Sequence, residues 1–123
     1  MHTLIVHAHP EPRSFNAALR DIAVETLGEL GHTVSVSDLY REAFEAVEGP
    51  WHYPRRAHPG FFSALAEQRS AWHGGTVPAD VRREIERLEQ ADLVILQFPL
   101  WWHAQPAILK GWFDRVFLSG GLY

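Results

Sequence analysis

The sequence predicts an α/β protein built on a doubly wound parallel sheet. Three observations lead there. The first 38 residues run from a β-branched apolar stretch through a helical repeat to a second, alternating stretch, and a strand–helix–strand crossover implies a parallel pair. A third apolar run, "DLVILQF" (92–98), is rich enough in Val, Ile and Leu to be a strand covered on both faces. Helical repeats stand on either side of that run.

The elements follow in order. "TLIVHA" (3–8) is a short buried strand. "PEPRS" is a loop, and Ser14 is an N-cap for a helix from about Phe15 to Leu30. Phe15, Leu19, Ile22, Ala23, Leu27 and Leu30 recur at helical spacing as an apolar face, and Gly31 stands where a C-terminal cap belongs. "HTVSVSD" (32–38) alternates and predicts the second strand. Residues 40–78 hold four prolines and many aromatics; "FFSALAEQRSAW" predicts a short helix and the rest a long loop. After Pro78 a helix is expected over 79–90, with Val81, Ile85 and Leu88 inward and the charges of "RREIERLEQ" on a solvated face. A final helix from about Pro106 to Leu118 carries a broad apolar face, with Asp114 and Arg115 as solvated residues or an ion pair.

Composition narrows the function. A chain of 123 residues predicts one domain. A net charge of −4 without a basic run argues against nucleic acid as a partner. The absence of cysteine removes disulfides, thiolate catalysis and Cys-based metal centres. The opening "MHTLIVHAHP" lacks a basic n-region, and the longest apolar run, Leu93 to Trp102, is broken by Gln97 and Pro99. A soluble, cytoplasmic protein that does not span a membrane is therefore expected.

In such sheets ligands bind beyond the carboxyl ends of the strands, near the point where strand order reverses. Two segments leave those ends, "HAHPEPRSFN" and "PLWWHAQ". The first contains neither GxGxxG nor GxxxxGK[ST], which argues against a dinucleotide-binding Rossmann turn or a P-loop. It still offers anion-binding chemistry, because Ser14, Phe15 and Asn16 open a helix with His9 and Arg13 close in sequence. A plain helix cap at Ser14 explains the same residue equally well. His7 and His9 share one side of an extended strand, but the carboxylate or Cys partners of a metal site are missing, so no metal is expected. Trp101, Trp102 and His103 suit a flat, conjugated ligand; for one of two adjacent tryptophans the alternative is a plug for the core or a subunit interface.

"LIVHAHPEPRSFNAAL", "ADLVILQFPLWW" and "PAILKGWFDRVF" together resemble the NAD(P)H:quinone oxidoreductase (DT-diaphorase-like) family, on a flavodoxin-like fold. The resemblance runs from the first strand to the last residue and is weakest over 40–75. It implies FAD, or FMN in some branches, as cofactor, NAD(P)H as co-substrate, and a quinone-type small molecule as acceptor of two electrons in a ping-pong hydride mechanism. It implies that His9, Phe15 and Asn16 contact the phosphate and ribose region of the flavin, with Ser14 alongside. Pro99, Leu100, Trp101, Trp102 and His103 would line the isoalloxazine, and Trp102, His103 and Tyr123 the substrate pocket. His103 stands where relatives commonly have phenylalanine. No side chain is expected to act as a strong acid or base.

Family members continue beyond "LSGGLY". By resemblance, residues 1–123 supply strands two, one and three of a 2-1-3-4-5 order, an incomplete flavodoxin-like domain whose third strand becomes an apolar edge. The chain is expected to be a fragment, a domain completed by another chain, or a homo-oligomer, such as a dimer, that buries the edge. The alternative functions are a non-catalytic flavin- or nucleotide-binding regulatory subunit, for instance of a potassium-efflux transporter, and an inactive truncated remnant.

Overall fold

The computed structural model describes residues 1–122. Strand β1 (His2–His7) leads through helix α1 (Phe15–Glu29) to β2 (Thr33–Asp38). A 3-10 turn at Pro50–His52 and helix α2 (Ala64–Gly74) occupy the middle of the chain. Helix α3 (Ala79–Gln90), strand β3 (Leu93–Gln97) and helix α4 (Ala107–Val116) complete it. Each element lies within about two residues of the sequence expectation, apart from a later start for α2.

The strands form a parallel sheet in the order β2-β1-β3, as the resemblance implied. His7 is level with Asp38 on one side and with Gln97 on the other, so all three strands end at one height. Both ligand loops therefore leave from the same rim. Side chains alternate along β1. Leu4, Val6 and Ala8 enter a core shared with Val81 and Ile85 of α3 and with Leu109, Trp112 and Val116 of α4. Thr3, Ile5 and His7 take the opposite face, which α1 covers.

Local chemistry sets the helix ends. Ser14 Oγ accepts the Ala17 N–H at 3.1 Å, which confirms the cap. At the other end Gly31 adopts φ +84°. The His32 N–H reaches the Leu27 carbonyl at 2.9 Å and the Gly31 N–H the Gly28 carbonyl at 3.0 Å, a Schellman closure that requires the left-handed residue.

Two burial expectations are overturned. The stripe of α1 is not buried: Phe15, Leu19, Ile22 and Leu30 are exposed, and Ala17 is the helix's one fully buried residue. Nor is β3 covered on both faces, since Leu93, Val94 and Leu96 are exposed. The reason is position. β3 is an edge strand paired only with β1, and among the described residues nothing lies along its outer side.

The charged residues also depart from expectation. Glu84 is fully buried and accepts from Trp112 Nε1 at 3.0 Å and Arg87 Nη1 at 2.8 Å. Arg87 continues to Glu42, at 2.9 and 3.1 Å, and to Ser37 Oγ at 2.9 Å. Arg115, 1% exposed, is an ion pair and no solvated residue: it bonds Asp80 at 2.6 Å and the Glu45 carbonyl at 2.7 Å. Burial pushes the Asp80 carboxyl up, but the bonds and charge of Arg115 outweigh it and hold the group below the usual range.

The stretch 40–63 is irregular yet fastened. Buried Glu67 accepts from the backbone of Ala57 and His58 and from Arg56 Nε. Glu48 accepts from Tyr53 and Gln68, each at 2.8 Å, and Gln68 also donates to the Asp114 carbonyl at 2.9 Å. Gly111 lets this stretch close on α4, because a side chain there would collide with the Ala46 carbonyl.

Candidate functional site

The site lies where the loops after β1 and β3 meet. The Ala8 N–H donates to the Gln97 carbonyl at 3.0 Å, which joins the loops at their base. Gln97 Nε2 then donates to Asn16 Oδ1 at 2.7 Å and ties the end of β3 to the first turn of α1. Sequence reasoning missed Gln97. Its signal was a single polar residue at the end of an otherwise apolar strand.

The first loop is held by its own side chains. The Glu11 N–H donates to His9 Nδ1 at 3.0 Å. The proton of neutral His9 therefore sits on Nε2, which remains a donor. Glu11 also binds Arg13, at 2.9 Å through the backbone N–H and 3.3 Å through Nε. The backbone N–H groups of Phe15 and Asn16 have no partner among the described residues. A helix N-terminus with two free N–H groups and a nearby imidazole donor suits an anion.

The second loop closes on itself. Trp101 N–H donates to the Ala104 carbonyl at 2.9 Å, and Ala104 N–H returns to the Trp101 carbonyl at 3.2 Å. Trp102 and His103, between them, have φ of 52° and 62°. This is the two-residue I′ turn that normally takes Asn-Gly. Two bulky aromatic residues hold it at a cost of about 1–2 kcal/mol each. The turn leaves Trp102 96% exposed, with Leu100 at 76% and His103 also exposed. Trp101 turns back, and its ring meets the His9 ring edge-on at 5.9 Å. Neither tryptophan plugs the core.

His9, Ser14, Phe15, Asn16 and the segment Pro99–His103 are thus gathered at one rim. Tyr123 lies outside the described residues. Among the described residues no group of three or more His, Asp or Glu is arranged to hold a metal.

Beneath the rim His7 is 1% exposed, and its Nδ1 has no hydrogen-bond partner. Burial, then the nearby Arg20 charge, lower its pKa from the usual 6.5. The folded state thus holds the proton less tightly than the unfolded chain. Stability is full above the unfolded value and falls as pH drops from about 6.5 through the folded value, by at most about 1.4 kcal/mol per pH unit. Urea titrations of wild type and His7→Leu across this range should show the wild type losing stability that the variant keeps. Parallel curves would mean that His7 titrates alike in both states.

A flavodoxin-like-fold family profile matches residues 1–123, the whole chain. The chain belongs to this flavodoxin-like family. It is 44% identical over 123 residues to a ribosyldihydronicotinamide dehydrogenase [quinone] of Pongo abelii, covering 95% of this chain and 51% of that protein. It is 42% identical over 121 residues to NAD(P)H dehydrogenase [quinone] 1 of Cavia porcellus, covering 98% and 44%. Among solved structures, an NAD(P)H:quinone oxidoreductase from Methanothermobacter marburgensis superposes with a TM-score of 0.79 at 39% identity, covering 98% of this chain and 55% of that one. A Klebsiella pneumoniae protein provisionally described as a quinone reductase superposes at 0.94 with 43% identity, covering 98% and 46%. This member of the flavodoxin-like family spans about half the length of the curated relatives it matches. No described helix is long and apolar enough to cross a membrane.

Proposed function

We propose that this chain forms the flavin-binding half of an NAD(P)H:quinone oxidoreductase, with FAD as cofactor and a quinone-type molecule as acceptor. One observation carries the reading. The His9–Trp101 contact brings the free N–H groups of α1 and the exposed wall of Leu100 and Trp102 to a single rim. Those residues fit a flavin: the donors suit its phosphate, and the aromatic face suits its ring.

When bound, the flavin supplies two-electron hydride chemistry between NAD(P)H and a quinone. The chain's contribution is binding and orientation. Ser14 caps α1 and leaves the N–H groups of Phe15 and Asn16 free to hold negative charge, with His9 Nε2 as a third donor. Gln97 fixes Asn16 and so keeps α1 in register with β3. Trp102, held outward by its turn, excludes water from one ring face. His103 stands beside it on the same turn. A second copy of the chain is the proposed partner.

The test is an absorption spectrum after saturation with FAD and desalting. A retained flavin band, bleached by NADPH and restored by a quinone, is expected. Retention without bleaching would assign the chain to a binding or regulatory role. A colourless protein would overturn the flavin reading.

A further inference from the structure

A second cleft opens on the other side of β1. It has a volume of about 460 Å³ and is lined by His7, His9, Arg20, Asp38, Tyr40 and Arg41, together with loop prolines. It lies between the carboxyl ends of β1 and β2, whereas the tryptophan loop follows β3. His9 is the one residue common to both places.

Several polar groups of this cleft are unspent. Two guanidiniums of the interior are engaged: Arg87 is bound to Glu42, Glu84 and Ser37, and Arg115 to Asp80 and the Glu45 carbonyl, with Arg115 Nε left without a partner. In the cleft Arg20 is engaged, with Asp38 at 3.0 Å and Asp21 at 2.7 Å, and His9 Nδ1 accepts from the Glu11 N–H at 3.0 Å. Those two carboxylates fix its position and leave Asp38 neutralised. No internal partner exists among the described residues for the Arg41 guanidinium, the Tyr40 hydroxyl or either nitrogen of His7. His7 is almost wholly buried, a place where polar groups are normally bonded. The lining carries two guanidiniums against one carboxylate, in a chain whose net charge is −4.

We propose that this cleft binds a phosphate monoester dianion, with Arg41, Tyr40 and the His7 imidazole as its donors. A guanidinium, a phenol and an imidazole match an anion with three acceptor oxygens better than a planar carboxylate. The cleft is larger than phosphate alone needs and falls in the range of small-molecule sites. An organic group on the ester, such as a nucleoside, therefore has room. The inference does not depend on the flavin reading, because its donors Arg41, Tyr40 and His7 belong to no part of the flavin site, although the two places share His9.

The test is an NMR titration of imidazole resonances in flavin-free protein at neutral pH and low salt, with adenosine 2′-monophosphate as probe. Inorganic phosphate and adenosine are titrated separately. Saturable shifts of His7 and His9 with the nucleotide are expected, and Arg41→Gln should weaken binding about tenfold. Tyr40→Phe should weaken it without altering the fold, read by circular dichroism. Flavin retention should be unchanged in both variants. Equal affinity for inorganic phosphate would keep the site and assign it to the free ion. Equal affinity for adenosine, no saturable shift at millimolar concentration, or displacement of the probe by FAD would overturn the proposal.

Discussion

Trp112→Ala is expected to destabilise the fold by about 4 kcal/mol or more, a large share of the roughly 5–15 kcal/mol that holds most domains together. Trp112 is almost completely buried at the junction of β1, α3 and α4. Its ring meets Phe113 and Phe117 edge-on, at 5.2 and 5.6 Å. Removing it opens a cavity that neighbouring backbones cannot fill. It also deletes the Nε1 donor of Glu84, a carboxylate with no exposure to water. Trp112→Phe separates the two effects. It keeps most of the volume, loses the donor, and should cost about 1–3 kcal/mol. Urea unfolding followed by circular dichroism reads both. An alanine variant within 1 kcal/mol of wild type would show that α3 and α4 are held together elsewhere.

Trp102→Ala should have the opposite profile, with a large effect on binding and almost none on stability. The side chain is 96% exposed and supports nothing in the core, so unfolding should move by no more than about 0.5 kcal/mol. If its ring forms one wall of the flavin site, truncation loses a stacking contact worth about 1–3 kcal/mol, or about 5- to 150-fold in FAD affinity. Flavin fluorescence quenching measures this directly. Equal affinity in wild type and variant would remove Trp102 from the site and leave its strained turn without a functional account.

The two variants mark the line between what could be read in the sequence and what could not. The three strands, their parallel direction and the helices between them were legible because apolar period and capping residues are local properties. Ser14 and Gly31 behave as their types require. The two loops that leave the carboxyl ends of β1 and β3 were legible too, since their place follows from topology. Glu84, Arg87 and Arg115 were not. Periodicity counts a charged residue as outward, and only a partner from a distant element reverses that. Glu84 is buried because Trp112 and Arg87 reach it, and Arg115 because Asp80 and the Glu45 carbonyl meet it. Gln97 was passed over for the same reason, as its partner Asn16 lies 81 residues away.

Within the candidate site the division is finer. The residue types at positions 9, 14–16 and 101–103 pointed to an anion and a flat ring, with Pro99 and Leu100 added by the resemblance, but they left open which tryptophan faced outward. The turn decided it. Paired hydrogen bonds between Trp101 and Ala104 force positive φ at the next two residues, which directs Trp101 back to His9 and Trp102 to solvent.

By itself the sequence determined the order and type of the elements, the caps, and which loops leave the carboxyl ends of the strands, because each depends on spacing along one chain. The tertiary structure alone decided that α1 shows its apolar stripe and that a set of charges is buried. Those outcomes depend on what lies across the sheet or on the next helix, and no local pattern carries that information.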